Sequence, residues 1–288
     1  MNTADEPDSQ QTKLWNGTAG RAWVETQDLL NQIFKPFEDL LVETVRALSG
    51  RRVLDVGCGA GSTTLAVARL LGAEGHCTGI DISDPMIAAA RLRAELDRTP
   101  ATFIRANAET HTFEPASFDV IISRFGVMFF NDSVQAFANL RRAATDNADL
   151  RFLTWRSAEE NSFMTTAERA AAPLLPNLPP RVADAPGQFA FGEPRRVRTI
   201  LEESGWAEID IRPVDVICSL DEANLNEYFT RLGPVGLTLQ EVDERTRTQV
   251  VRTVRPAFDV YVQGSKVRFN AACWMVSAKT APPLDAAE

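Results

Sequence analysis

Val53-Leu54-Asp55-Val56-Gly57-Cys58-Gly59-Ala60-Gly61-Ser62 is the stretch that decides the fold. A short apolar run that stops at glycine reads as a buried strand. From Ser62 to Leu71 the apolar residues return at helical spacing, with Ser62 as a candidate cap and Gly72 as the stop. Between strand and helix stand three glycines at alternate positions. Glycine lets the backbone turn sharply and approach a ligand closely.

The same rhythm extends in both directions. Downstream, Cys77 to Ile82, Thr102 to Arg105, Phe118 to Ser123 and Leu150 to Trp155 read as strands. Asp84-Pro85 opens a helix towards Leu96, and Asp132 or Ser133 caps one that carries Val134, Phe137, Leu140 and Ala144. Upstream, Leu30, Phe34, Phe37, Leu41, Val45 and Leu48 predict a helix from about Leu29 to Leu48, with Pro36 near its start or at a kink. Strands that alternate with helices predict a parallel sheet with helices on both faces. Such sheets bind ligands beyond the carboxyl ends of their strands, where the strand order reverses.

The second half is less regular. Ser157 to Gly192 is rich in Pro and Ala and reads as an insertion. Glu193-Pro194 opens a helix that Gly205 closes, and Ala207 to Val216 reads as a sixth strand. Asp221 to Leu232 and roughly Leu239 to Val262 read as helices, and Val267 to Ala278 as a last strand. The expected organisation is a tail at 1–12, an N-terminal helical lid at 13–50 and a core at 51–156. A cap insertion follows at 157–192, core again at 193–216, a helical cap at 217–266, a final strand at 267–280 and a tail at 281–288.

The 288 residues carry a formal net charge of -9 and are 44% hydrophobic. A phosphate backbone would be repelled by that field, so no nucleic-acid partner is expected. No apolar run is long enough to span a bilayer, and the acidic, polar start lacks the pattern of a signal peptide. Cys58, Cys77, Cys218 and Cys273 are scattered, without metal-ligand or disulfide-framework spacing. A cytoplasmic protein with free thiols, no metal and no membrane insertion is expected.

The chemistry gathers around the glycine loop. A dinucleotide fold would carry G-x-G-x-x-G to seat a pyrophosphate. This loop is G-x-G-x-G, with Asp55 immediately before it. Negative charge there suits a ligand bearing ammonium and sulfonium groups better than one bearing phosphates. Asp81 lies 20 residues beyond Gly61 at the end of the second strand, where a carboxylate can accept from both hydroxyls of a ribose.

This combination resembles the class I, Rossmann-like methyltransferases that use S-adenosyl-L-methionine, in which D-x-G-x-G-x-G and the acid after strand two recur. The resemblance is close from Val53 to Trp155 and loose beyond. Phe118 to Ser123, followed by Arg124-Phe125-Gly126-Val127-Met128-Phe129-Phe130, is similar to the small-molecule group related to the ubiquinone and menaquinone biosynthesis methyltransferases. Asp146-Asn147-Ala148-Asp149 departs from the P-G-G turn common before strand five. The resemblance implies a mostly parallel seven-stranded sheet. It implies a cofactor site of Asp55, Gly57, Cys58, Gly59, Gly61, Asp81, Ile82, Met86, Asn107, Ala108, Glu109 and Ser123, with Trp15 and Trp23 closing over it. It implies an enzyme that transfers a methyl group to a small acceptor, apolar or aromatic and prenyl-like.

Trp15-Asn16-Gly17 and Gly20-Arg21-Ala22-Trp23 form W-N-G-x-x-G-x-x-W. Two tryptophans in a polar segment serve either as a lid that excludes water or as anchors of a docked helix. Arg124 can pair with a carboxylate or phosphate of the acceptor, or form a structural salt bridge. Phe125, Met128, Phe129 and Tyr228 are expected at the acceptor pocket, with Phe163, Phe189, Phe191 and Phe229 available to complete it. Neither His76 nor His111 is singled out as a base, and no catalytic residue is assigned. Arg195, Arg196 and Arg198 read as the solvated face of a helix. A homodimer through the C-terminal helices remains open. So does another reaction on the same fold, a lyase or cyclase that keeps the cofactor without losing its methyl.

Overall fold

The computed structural model describes residues 10–182 and 184–280. The tail expected at 281–288, and the first nine residues of that expected at 1–12, lie outside them. The remaining three, Gln10 to Thr12, are helical. They open α1 (Gln10–Asn16), where Asn16 Nδ2 donates to Thr12 O (2.9 Å) and Trp15 Nε1 to Gln11 Oε1 (3.2 Å).

Next come α2 (Thr18–Glu25) and α3 (Gln27–Arg46). Pro36 sits in the interior of α3, neither at its start nor at a break. The helix survives the lost hydrogen bond because Ile33, Phe34, Phe37 and Leu41, one stripe at helical spacing, are buried against the sheet.

The core then alternates: β1 (Arg52–Val56), α4 (Ser62–Leu71), β2 (His76–Asp81), α5 (Asp84–Leu96), β3 (Thr102–Arg105), β4 (Phe118–Arg124), α6 (Ser133–Ala143) and β5 (Ala144–Trp155). Asp132 caps α6, accepting from Gln135 N–H at 2.9 Å. Ser62 is the first helical residue of α4, not its cap. Gly61, in left-handed conformation at φ 81°, holds that position. β5 starts six residues before the expected Leu150, because the Asp-Asn turn is absorbed into a strand that bulges against β4.

After α7 (Ser162–Ala171) and α8 (Pro194–Glu203) comes β6 (Trp206–Asp221). The cap helices are α9 (Leu225–Arg231), α10 (Gly233–Thr238) and α11 (Glu244–Val254). The helix expected from Leu239 to Val262 is therefore shorter. It gives way to a 3-10 turn at Arg255–Tyr261, opened by Pro256. Two short strand residues, β7 (Val262–Gln263), precede β8 (Lys266–Thr280).

The sheet runs in the order β3-β2-β1-β4-β5-β8-β6, the seven expected strands, with β7 paired to β8 as an eighth. β1 to β5 are parallel, and β8 is antiparallel to both its neighbours. Val53, Leu54, Ile80, Ile121 and Leu150 are wholly buried, as strands covered on both faces require. The order reverses between β1 and β4, so their carboxyl ends open a crevice.

β6 and β8 pair from Trp206↔Thr280 to Asp221↔Lys266, past the point where β5 ends opposite Cys273. Their outer halves form a two-stranded ribbon. Phe163, Tyr228, Phe229, Phe258 and Phe269 pack there as an aromatic core for the cap.

Candidate functional site

The crevice is built from backbone first. Gly57, Gly59 and Gly61 all adopt positive φ (68°, 55° and 81°). Gly57 and Cys58 N–H both donate to Ile80 O, tying the loop to β2. A Cβ on Gly57 would stand 2.6 Å from Gly126 Cα, and one on Gly126 2.6 Å from Val56 O. The loops after β1 and β4 are thus pressed together with no room for side chains. A Cβ on Gly59 would meet only Met86 Sδ, at 3.6 Å. Gly59 therefore presents bare backbone to the cavity.

Asp81 fixes the other side. Its Oδ2 accepts from Gly59 N–H (2.8 Å) and its Oδ1 from Ser83 N–H (2.9 Å). A carboxylate has about four lone-pair sites. Asp81 therefore keeps acceptor capacity on its one open side, towards the cavity. Protein encloses it elsewhere, and that burial pushes its carboxyl above the usual range against the pull of the backbone donors.

Asp55 is deeper, 1% exposed. Its Oδ2 accepts from Thr64 Oγ1 (2.7 Å), and its Oδ1 is buried without a partner. Burial pushes its carboxyl up to about 6, opposed by the Thr64 hydroxyl and the nearby Arg124. Arg124 lines the cavity. Its Nη2 donates to Ser62 Oγ (2.8 Å), its Nη1 has no partner, and its guanidinium lies 5.9 Å from the Phe34 ring.

Beyond β3, Asn107 Oδ1 accepts from Glu109 N–H (3.0 Å). Glu109 is buried, and its two oxygens accept from Asn131 and Asp132 N–H (2.9 and 3.0 Å). It clamps this loop to the start of α6. Opposite, Phe125 holds φ 62° without being glycine, a conformation that costs roughly 1–3 kcal/mol. Its N–H donates to Leu153 O, and its ring stacks on Trp155 at 4.2 Å and 7°. Packing thus offsets the strain and makes Phe125 a rigid wall.

The N-terminal segment is fastened over this crevice. Ser83 Oγ donates to Trp15 O (2.6 Å), Asp84 N–H to Asn16 Oδ1 (2.8 Å) and Asn16 Nδ2 to Ile82 O (3.1 Å). Trp15 meets Trp23 edge-on at 5.8 Å and Phe129 at 5.1 Å, and Trp23 stacks on Phe34 at 6.2 Å.

One cavity brings together Trp15, Trp23, Gly57, Cys58, Gly59, Asp81, Ile82, Met86, Asn107, Ala108, Glu109, Arg124, Phe125 and Phe129. Asp55, Gly61 and Ser123 lie beneath its wall. Ser123 Oγ donates to Val56 O (2.7 Å) and accepts from Gly126 N–H (3.1 Å), so it supports the loops.

Two residues expected at the acceptor pocket are elsewhere. Met128 is 1% exposed and lines a separate cavity beside α8. Tyr228 belongs to the cap core, its hydroxyl donating to Met164 Sδ (3.3 Å). Phe163 and Phe229 pack with it, and Phe191 stacks on Phe137 in the main core. Apolar packing within each layer outcompetes the cavity for these rings. His111 packs edge-on to Phe113 outside the cavity.

Sequence reasoning read Leu30 and Phe34 only as helix-core positions and did not single out Gln27 and Asn31, which share the cavity face of α3 with them, nor Arg93, whose Nη1 donates to Ala60 O (2.9 Å). The spacing of Gln27, Asn31 and Phe34 along one helical face was the available signal. Gly126 was within reach too, as a glycine two residues past the end of β4. Among the described residues, no group of three or more His, Cys, Asp or Glu is placed to hold a metal ion. No helix among them is long and apolar enough to cross a membrane.

Residues 53–147 match the family model of a methyltransferase domain. The chain is 36% identical to aklanonic acid methyltransferase DauC of Streptomyces sp. (strain C5), over 37% of this chain and 49% of that one. It is 32% identical to the ubiquinone/menaquinone biosynthesis C-methyltransferase UbiE of Rhizobium leguminosarum bv. trifolii, over 36% of this chain and 49% of the other. The chain thus spans about half the length of these curated relatives.

Among solved structures, the cyclase SpnF superposes with a TM-score of 0.56 at 15% identity, covering 91% of this chain and 95% of its own. Phosphoethanolamine N-methyltransferase 2 of Haemonchus contortus, in complex with S-adenosyl-L-methionine, gives 0.56 at 16% identity, covering 95% and 60%. At these identities the likeness shows a shared Rossmann-like methyltransferase fold.

Proposed function

We propose that this protein is an S-adenosylmethionine-dependent methyltransferase acting on a small acceptor, apolar or aromatic and prenyl-like. The observation that carries this reading is the pairing of bare backbone at Gly59 with the Asp81 carboxylate, which still has acceptor capacity towards the cavity. The match of residues 53–147 to a methyltransferase domain supports it. So do two relatives whose names give them small-molecule roles, one on aklanonic acid and one in quinone biosynthesis.

The residues present fit the cofactor. Asp81 has lone pairs left for ribose hydroxyls. Ile82, Met86, Asn107, Ala108 and the Glu109 clamp flank the side on which an adenine would lie. Asp55 offers an unpartnered oxygen and a negative charge beneath the loop, suited to an ammonium. When bound, the cofactor supplies an electrophilic methyl carbon on a sulfonium.

The chain's own work is to place the acceptor and keep water out, from which much of the acceleration of a displacement can come. Phe125, rigid on Trp155, together with Phe129 and Phe34 gives the acceptor aromatic walls. Trp15, on a helix fastened at Ile82 to Asp84, and Trp23, packed edge-on against it, act as the lid. Trp15 meets Phe129 edge-on, so the lid rests directly on the acceptor wall.

Calorimetric titration with S-adenosylmethionine, S-adenosylhomocysteine and NADH tests the reading, on wild type and Asp81→Ala. Micromolar binding of the first two, weakened at least tenfold in the variant, is expected. Folded protein, free of copurified cofactor, that binds neither overturns it. Formation of S-adenosylhomocysteine during turnover separates methyl transfer from a cyclase or lyase reaction on the same fold.

A further inference from the structure

The Arg124 guanidinium lines the cavity, yet only Ser62 Oγ engages it, at 2.8 Å through Nη2. Nη1 is covered from solvent and has no partner. A guanidinium carries five donors. Leaving them unmade in a cavity is costly, and an incoming anion relieves that cost. Asp55 and Glu38 are the acids whose charges reach it, and neither forms an ion pair with it. Phe34 lies 5.9 Å from this head, and Phe125, the next residue, is the rigid wall. One positive group thus stands among flat apolar surfaces.

The same cavity has no group suited to accept a proton. None of its described lining residues is His, Lys or Tyr. The lone pairs that Asp81 keeps beyond its two backbone donors are those assigned above to ribose hydroxyls, and each Glu109 oxygen is held by a backbone donor in the clamp to α6. Burial pushes the Cys58 thiol well up, against thiolate formation. Arginine does not act as a base at neutral pH. The acceptor atom must therefore arrive without its proton. Free carboxylic acids do so, ionising near pH 4.

We propose that the acceptor is an aromatic carboxylate, held through one oxygen by the Arg124 guanidinium and methylated on the other. The inference rests on the methyltransferase reading above. The free carboxylate oxygen donates its electron pair to the methyl carbon, forming the O–CH3 bond. The S–CH3 bond breaks, and its electron pair stays on sulfur. The sulfonium charge and the carboxylate charge disappear together. The products are a neutral methyl ester and a thioether, and no proton moves. Neutralisation also removes the charge that Arg124 holds, so the ester leaves more readily than the acid binds.

The test measures affinities with S-adenosylhomocysteine saturating. Benzoate, 2-naphthoate and anthraquinone-2-carboxylate are each compared with their methyl esters by calorimetry. At least one acid is expected to bind tenfold or more tightly than its own ester in wild type. Arg124→Met should reduce that acid to the level of the ester while leaving the S-adenosylhomocysteine Kd within twofold. The wild-type comparison stands whether or not the variant folds. The proposal is overturned if no acid is preferred to its ester. It is equally overturned if Arg124→Met weakens S-adenosylhomocysteine tenfold and leaves the preference intact, because the guanidinium would then hold the cofactor's own carboxylate. Failure of the methyltransferase reading looks different again: S-adenosylhomocysteine itself would not bind.

Discussion

The crevice at the ends of β1, β2 and β4 and the cap above it are built on opposite principles. In the crevice, glycine backbone is pressed against glycine backbone, and Asp55 and Arg124 keep polar atoms that no protein group satisfies. In the cap, Phe163 stacks on Phe269 at 3.7 Å, Phe229 on Phe258 at 5.7 Å, and Val250, Val254 and Leu225 close the spaces between. One region leaves charged groups unsatisfied beside a cavity; the other is filled by its own rings. The difference teaches where to look for function. Rings in the cap are packed and structural, whereas the site is marked by unmade bonds of charged groups at the mouth of the glycine loop.

Truncation in the cap breaks this comparison most directly. Phe163→Ala removes a ring that is 2% exposed and contacts four aromatic neighbours. A loss of about 3–5 kcal/mol in unfolding free energy is expected. Denaturant titration reads that loss, while calorimetry on the folded fraction should find S-adenosylhomocysteine affinity unchanged. A tenfold loss of affinity would show that the cap's interior belongs to the site after all.

The glycines sharpen the comparison within the crevice. Gly57→Ala forces a side chain at positive φ to within 2.6 Å of Gly126 Cα, so about 2–3 kcal/mol of stability should be lost. Gly59→Ala meets only Met86 Sδ at 3.6 Å. The left-handed backbone (φ 55°) should cost about 1–2 kcal/mol of stability, yet the added methyl should weaken S-adenosylhomocysteine tenfold or more. Melting temperatures and binding constants measured on the same two variants should therefore rank them in opposite ways.

That pair also shows what was legible in the sequence. The strand, the glycine loop and Asp81 could be read because left-handed backbone and a spaced acid are local requirements. The caps at Asp132 and at Glu193, whose Oε1 accepts from Arg195 N–H, are local in the same sense. Tyr228 was misplaced because nothing in its neighbourhood along the chain names Phe163 as its partner, 65 positions away. The reach of β6 to Asp221 was hidden by Pro213 in an edge strand and by Ile217, 66% exposed, on its outer half. The cavity face of α3 was masked because Leu30 and Phe34 belong to an apolar stripe that accounts for the helix by itself. The unmade bonds of Asp55 and Arg124 exist only in three dimensions.

Asp55 turns its missing bond into a pH dependence. Its carboxyl, pushed up to about 6 by burial, ionises later in the folded chain than in the unfolded one, where about 3.8 is ordinary. Between those values the folded state binds more protons. Its contribution to stability is therefore full below about pH 4, falls as pH rises, and is lost above about pH 6. The penalty at neutral pH is about 2–3 kcal/mol. Asp55→Asn should lack this slope and overtake wild type in melting temperature as pH rises from 4 to 7. Parallel slopes in the two proteins would mean that Asp55 is already compensated and offers nothing to an ammonium.

The smallest expected effect bears on Tyr228. Burial pushes its phenol well above the ordinary value, and its hydroxyl reaches only the weak acceptor Met164 Sδ at 3.3 Å. A phenol pushed up in this way is protonated at neutral pH, so it does not serve as a base there. Deleting the oxygen leaves the ring, its contact with Phe163 at 5.3 Å and the volume of the cap unchanged. Tyr228→Phe should therefore alter stability by no more than about 1 kcal/mol. It should also leave both S-adenosylhomocysteine and acceptor affinities within twofold. Unchanged stability with a tenfold loss of acceptor affinity would require the cap to open and present this hydroxyl to the crevice, erasing the division between the two regions.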